Sequence, residues 1–166
     1  KSRAAYSGLA FRHLKIDEYI QENWNYIQEK GFILSAFYGI TCGTCKIKKH
    51  RLDFSIKLFE DVSLYKFWSE YVNSFFSENE TIINLASSEY SKLIDKKRVD
   101  FINIDFYENK ELKQISANSK KARGEMLNLL ISNQIENVEH IKNLKLKEYS
   151  YNRELSSNNN LVFIKD

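Results

Sequence analysis

Lys46-Ile47-Lys48-Lys49-His50-Arg51 puts four Lys or Arg side chains into six positions, and no acid occurs between Cys42 and Leu52. Such a run has two readings: a solvated basic loop, or a surface that meets phosphates or carboxylates. Just before it stands Cys42-Gly43-Thr44-Cys45, a CxxC spacing. With no second Cys/His pair at zinc-finger spacing, a metal site does not follow. A thioredoxin-like role requires the motif between a strand and a helix start, and this segment reads as a loop, so the two cysteines are expected to be passengers.

A second group of cations, Lys120-Lys121-Ala122-Arg123-Gly124, opens a helix predicted over about Lys120–Asn133 from the spacing of Ala122, Met126, Leu129 and Leu130. From residue 110 to 123, five cations face only Glu111. Cations in a first helical turn oppose the macrodipole at about 0.3–1 kcal/mol each. An anion docked on the free N–H groups there would remove the conflict. Gly124 weakens a helix but permits close backbone approach. Local rules broken together point to a functional site.

The third candidate is Asn84-Leu85-Ala86-Ser87-Ser88-Glu89-Tyr90, where an apolar strand passes into a helix. Asn84, Ser87 and Glu89 could line a ligand crevice and perform polar or acid–base work. The plainer reading makes Ser87 or Ser88 a helix N-cap and Glu89 a favourable first-turn acid. His13, His50 and His140 lie in separate neighbourhoods, and no HExxH, GxGxxG or P-loop pattern occurs. No catalytic motif, cofactor or metal site emerges, so enzymatic activity stays open.

The elements that hold these residues follow from periodicity. Asp17 to Lys30 reads as an amphipathic helix closed by Gly31, and Phe32 to Ile40 as an apolar stretch broken by Gly39. Leu64 to Ser77 is a helix capped by Ser63, with a broad apolar face of Leu64, Phe67, Trp68, Tyr71, Val72, Phe75 and Phe76. Thr81–Ala86, Val99–Tyr107, Leu112–Ala117, Leu144–Tyr151 and Leu161–Ile164 read as strands, the second and third joined at Glu108-Asn109-Lys110. Without a regular βαβ beat, the class is α+β with a mixed sheet and surrounding helices. With no internal repeat or linker, residues 1–166 are expected to form one domain.

The chain has 166 residues, 43% of them hydrophobic, with ten Tyr and eleven Phe, enough for a core rather than a disordered segment. Its 25 basic and 22 acidic residues leave a net charge of only +3, so charge matters by position and not in sum. No apolar run approaches the roughly 20 residues of a membrane helix, and no signal-peptide pattern opens the chain. Two cysteines favour a reducing cytoplasm. Abundant Lys, Asn and Ile with no Pro reads as coding bias, so the tract Asn158-Asn159-Asn160 receives little weight.

Taken in order, several segments resemble the YaaA family of bacterial peroxide-stress proteins. They are Tyr6-Ser7-Gly8-Leu9, Ile33-Leu34-Ser35-Ala36-Phe37-Tyr38-Gly39-Ile40, His50-Arg51-Leu52-Asp53, Leu64-Tyr65-Lys66-Phe67-Trp68, Ile83 to Tyr90, Lys120 to Met126, and Leu161-Val162-Phe163. The resemblance implies a cytoplasmic protein that limits damage by hydrogen peroxide. It further implies an unusual mixed α/β fold with a positively charged cleft, DNA binding and a helix-hairpin-helix element. Carried onto this chain, the hairpin spans Leu34 to Ile40 with Tyr38 and Gly39 in its turn, and the cleft cations are Arg51, Lys120, Lys121 and Arg123. The sequence departs from the pattern in lacking the opening SPAK-like strand, in Ala36 where the turn has a Gly, and in Thr41 to Cys45 replacing an Arg-Pro-Leu-Asp run. Lys46, Lys48 and Lys49 supply positive charge there.

Two functions follow as expectations. In the preferred one, Lys46, Lys48, Lys49, His50, Arg51, Lys120, Lys121, Arg123 and Gly124 form an anion-binding surface for double-stranded DNA, with hairpin N–H groups capping further phosphates. Such contacts position without reading sequence. In the alternative, the same cations hold a phosphate- or carboxylate-bearing small molecule beside Asn84, Ser87 and Glu89. An elongated groove favours the first, a closed pocket the second. Protein partners are not indicated.

Overall fold

The computed structural model describes residues 10–48, 50–58, 62–108 and 112–165. Lys49, the segment Tyr6–Leu9 and the turn residues Asn109 and Lys110 lie outside them. The centre is a four-stranded mixed sheet in the order β5-β6-β8-β7, built from Thr81–Asn84 (β5), Asp100–Glu108 (β6), Ser150–Tyr151 (β7) and Asn160–Lys165 (β8). β5, β6 and β8 run parallel, and β7 pairs antiparallel with β8. With its helices, this is the α+β arrangement that the sequence pattern predicts.

Alternation along β6 explains how the sheet buries both faces. Ile102, Ile104 and Phe106 join Leu161 and Phe163 of β8 in a core with Ala122, Met126 and Leu130 of α4 (Ser116–Ser132). Phe101 instead joins a second core of Ala36, Ile40, Phe54, Leu64, Val72 and Phe76. That core rests on helix α2 (Leu64–Ser74), whose N-cap Ser63 accepts the Lys66 N–H at 3.2 Å. Three of the seven residues of the predicted apolar face of α2 are only partly covered: Phe67, Tyr71 and Phe75 are each about half exposed.

Helix α1 (Gln21–Lys30) is shorter than the periodicity suggests, because a separate 3₁₀ turn takes Ile16–Glu18. Asn23 fixes its start: Oδ1 accepts the Ile20 N–H at 3.1 Å, and Nδ2 donates to the Ile131 carbonyl at 3.0 Å. Phe32–Ser35 (β1) and Gly39–Cys42 (β2) then form an antiparallel hairpin. Gly39 is required there on two counts, a φ of +71° and the Trp68 ring 2.6 Å from where a Cβ would stand. Two-residue strands Lys57–Leu58 (β3) and Val62–Ser63 (β4) lead into α2, and the short helices Ser88–Ser91 (α3) and Val138–Ile141 (α5) complete the order.

Two expected strands are corrected. Leu112–Ala117 contributes only a bridge from Lys113 to Glu108, since α4 already begins at Ser116. Of Leu144–Tyr151, only Ser150–Tyr151 pairs, as the buried side chains of Leu146 and Tyr149 pack into the α4 core.

Candidate functional site

On the Phe101 side of the sheet, between α3 and α4, lies a cavity of about 660 Å³. Its floor is a ladder of three asparagines on adjacent strands. Asn84 and Asn103 are Cα partners, as are Asn103 and Asn160. Asn84 Nδ2 donates to Asn103 Oδ1 at 2.7 Å, and Asn103 Nδ2 donates to Asn160 Oδ1 at 3.3 Å. Parallel register puts the three amides side by side, and each link satisfies a donor and an acceptor that the cavity would otherwise leave open. Asp105, two positions beyond Asn103 and on the same face, also lines the cavity.

Helix α4 supplies one wall. Ser116, Ser119, Lys120 and Arg123 recur at i, i+3, i+4 and i+7 and all line the cavity. Arg123 is the unusual member. Its Nε is buried without a hydrogen-bond partner, which costs free energy wherever a donor is desolvated and unmet. Burial pulls its pKa down from the usual arginine value, and the charge of Asp105 opposes that shift. Opposite, α3 contributes Ser87, Ser88 and Ser91, and Lys96 completes the wall with Nζ 4.6 Å from the centroid of the buried Phe101 ring.

The sequence expectations divide sharply at this site. Asn84, Ser87, Lys120 and Arg123 meet in the cavity wall. Asn84, however, is occupied structurally, as its Oδ1 accepts the Ala86 N–H at 3.0 Å. Ser87 takes the N-cap position of α3 without a side-chain cap hydrogen bond. Glu89 does not line the cavity; it is exposed, and its Oε1 accepts the Phe54 N–H at 3.4 Å.

Lys121 stands apart from Lys120 and Arg123. It lies off the cavity face of α4, with Nζ 3.9 Å from both Glu125 and Glu148. None of these cations opposes the helix dipole in a first turn, because α4 starts four residues earlier than the apolar spacing indicates. Its first turn is Ser116 to Ser119 and holds no cation. Gly124 admits a part of the chain itself, not a ligand: a Cβ there would stand 2.2 Å from the Ala10 carbonyl oxygen.

The described cations between Cys42 and Leu52 sit elsewhere. Lys46, Lys48 and Arg51 are exposed, and none lines the cavity. The segment is tied to the hairpin tip at Lys48, whose N–H donates to the Tyr38 hydroxyl at 3.1 Å. His50 Nδ1 lies 3.0 Å from the Lys48 carbonyl and Nε2 lies 3.2 Å from Ser35 Oγ, while its ring stacks on Phe37. A carbonyl only accepts, so Nδ1 carries a proton. Ser35 Oγ accepts the N–H groups of Phe37 and Tyr38 at 3.2 and 3.3 Å. The turn is Ala36-Phe37-Tyr38, with Gly39 opening β2, and the N–H groups of Phe37 and Tyr38 are engaged internally. A β-hairpin follows α1, and no α-helix follows it among the described residues before Leu64. The described residues therefore do not show a helix-hairpin-helix at this place.

The cysteines depart from expectation too. Cys42 and Cys45 are joined as a disulfide at the end of β2. The strand precedes them, but no helix follows directly, so the thioredoxin arrangement is absent among the described residues. The described residues hold no group of three or more His, Cys, Asp or Glu that could bind a metal ion. None of their helices is long and apolar enough to cross a membrane.

Several site residues escape the sequence reading. Asn103 and Asp105 interrupt the apolar run Phe101–Phe106 at every second position, a signal of a polar face on a buried strand. Asn159 and Asn160, set aside as composition, line the cavity. Lys96, Ser116 and Ser119 carry no pattern that marks them.

The fold and site together define a mixed-sheet α+β protein with a polar, three-cation cavity beside its parallel strands. The profile of the family described as "Peroxide stress protein YaaA" matches residues 1–155, and the chain belongs to that family. It is 40% identical over 164 residues to a UPF0246 protein of Fusobacterium nucleatum, covering 95% of this chain and 66% of the relative. A UPF0246 protein of Streptococcus sanguinis is 39% identical over 97% of this chain and 68% of its own length. One of Legionella pneumophila is 36% identical over 96% and 67%. The chain thus spans about two thirds of the length of these relatives.

Proposed function

We propose that this chain carries the ligand-binding cavity of a peroxide-stress protein, and that the cavity holds a small molecule bearing a phosphate or carboxylate. The observation that supports this most is the buried, unpartnered Nε of Arg123 in the cavity wall. A guanidinium fork satisfied by a bidentate anion removes that cost and gains charge-assisted hydrogen bonds. Lys120 and Lys96 add charge, Asp105 and the asparagine ladder supply acceptors and donors for the rest of the ligand, and about 660 Å³ suits a small molecule. The family description favours a role in peroxide stress, and a cytoplasmic setting is part of this proposal. One folded unit across residues 1–166 is part of the same reading.

A second reading takes double-stranded DNA as partner. It is favoured by the exposure of Lys46, Lys48 and Arg51 on an acid-free segment. Those cations would contact phosphates outside the cavity without sequence readout.

Binding of AMP, succinate and a short DNA duplex across a salt series separates the two. The cavity reading expects AMP or succinate to bind and a Lys46→Gln/Lys48→Gln variant to retain that binding. The duplex reading expects affinity that falls steeply with salt and a log–log slope reduced by about one for each lost phosphate contact.

A further inference from the structure

Cys42 and Cys45 share one short turn, and their sulfurs are bonded to each other. That bond does not hold the turn alone: two N–H groups of the segment are paired. The Gly43 N–H donates to the Gly31 carbonyl at 2.7 Å, and the Cys45 N–H donates to the Cys42 carbonyl at 3.1 Å. A loop this short constrains the unfolded chain less than any long disulfide loop does, so stabilisation is a weak reason for the pair. The two residues also differ in access: Cys45 is exposed and Cys42 is half-buried, with Thr44 Oγ1 3.5 Å from the Cys42 sulfur. Lys46 follows Cys45 directly, Lys48 and Arg51 are exposed nearby in the chain, and the segment from Cys42 to Leu52 has no acid. The element packed on this end of β2 is α1, whose last turn carries Glu29 and Lys30. Low-pKa, accessible thiols in electropositive settings with a second cysteine in reach are the peroxide-reactive ones.

We propose that Cys42 and Cys45 form a reversible dithiol/disulfide couple that reduces hydroperoxides. The Cys45 thiolate attacks one peroxide oxygen, the O–O bond breaks, and the departing hydroxide takes a proton to leave as water, or as an alcohol from an organic hydroperoxide. Cys45 is now a sulfenic acid. The Cys42 thiol attacks the Cys45 sulfur, the S–O bond breaks, and a second water leaves with the thiol proton. Two thiols have lost two electrons, and the peroxide has gained them. Return to the dithiol needs an external dithiol reductant. Its thiolate attacks the sulfur of Cys45, the more exposed residue of the pair, and Cys42 leaves as a thiolate, to which the Thr44 hydroxyl can donate. The reductant's second thiol then displaces Cys45.

The test treats the pre-reduced chain with stoichiometric hydrogen peroxide and follows free thiols and intact mass. Both thiols should vanish together with the loss of two hydrogens and no cross-linked dimer. Cys42→Ser should accumulate a sulfenic acid at Cys45 that dimedone traps, whereas Cys45→Ser should react roughly tenfold more slowly. Lys46→Gln/Lys48→Gln should slow thiol loss several-fold. The same chain unfolded in urea gives the rate of an unactivated pair and serves if either cysteine variant fails to fold. Equal rates in folded and unfolded chain would overturn the proposal, as would sulfenic acid trapped equally at Cys42 and Cys45.

Discussion

Asn84 and Asn103, neighbours on the parallel strands β5 and β6, are joined side chain to side chain at 2.7 Å, and Asn103 continues the chain of amides to Asn160. Asn103 is therefore both donor and acceptor at the centre of the cavity floor. Asn103→Ala should cost about 1–3 kcal/mol, because Asn160 Oδ1 loses its donor and Asn84 Nδ2 one acceptor. Urea denaturation checks this, with an unchanged m-value expected if only stability moves.

Gly124 gives a prediction that runs against helix propensity. Ala should favour the helix by up to about 1 kcal/mol, but its Cβ would stand 2.2 Å from the Ala10 carbonyl oxygen and 3.0 Å from the His13 Cβ. Gly124→Ala should therefore destabilise, by about 1–3 kcal/mol net, as overpacking does. A variant as stable as the parent would mean that the segment around Ala10 yields freely.

Lys121 and Arg123 sit two residues apart and should behave oppositely. Lys121 pairs at 3.9 Å with two partly exposed carboxylates, so Lys121→Gln should change stability by under about 1 kcal/mol and leave cavity binding as it was. Thermal melts and ligand titration on the same preparation read both.

Alkaline stability should respond to two tyrosines. Burial first, then the charge of Glu108, which also accepts its hydroxyl at 3.3 Å, pushes Tyr149 up to about 12. Burial and Glu18 push Tyr19 up to about 12 as well. The unfolded chain releases these protons near 10 and the folded one later. Stability fully present below about 10 is then lost as pH rises towards about 12. Tyr149→Phe should flatten part of that decline in the thermal midpoint.

The physical reasons for what was legible in the sequence are instructive. The class, α2 with its Ser63 cap, β6 and β8 followed from apolar periodicity, which reports burial directly. The start of α4 did not, because Ser116 to Ser119 offers almost no apolar side chain to count. That error placed Lys120 and Arg123 in a first turn they do not occupy, yet their i, i+3 spacing still set both towards one cavity. Asn103, Asp105 and Asn160 were missed because strand register, not local spacing, brings them together. The basic segment 46–51 is conspicuous in the sequence, but Lys48 and His50 are tied to Tyr38 and Ser35 at the hairpin, and neither lines the cavity.

The most direct measurement of the central claim is calorimetric titration of AMP and of succinate into the parent, Arg123→Gln and Arg123→Lys. The account predicts saturable binding of at least one probe by the parent. Arg123→Gln should lose roughly 10–100-fold in affinity, the equivalent of one charge-assisted hydrogen bond. Arg123→Lys should fall between, since it keeps the charge and loses the fork. Binding of neither probe by the folded parent, or equal affinity in all three proteins, would contradict it.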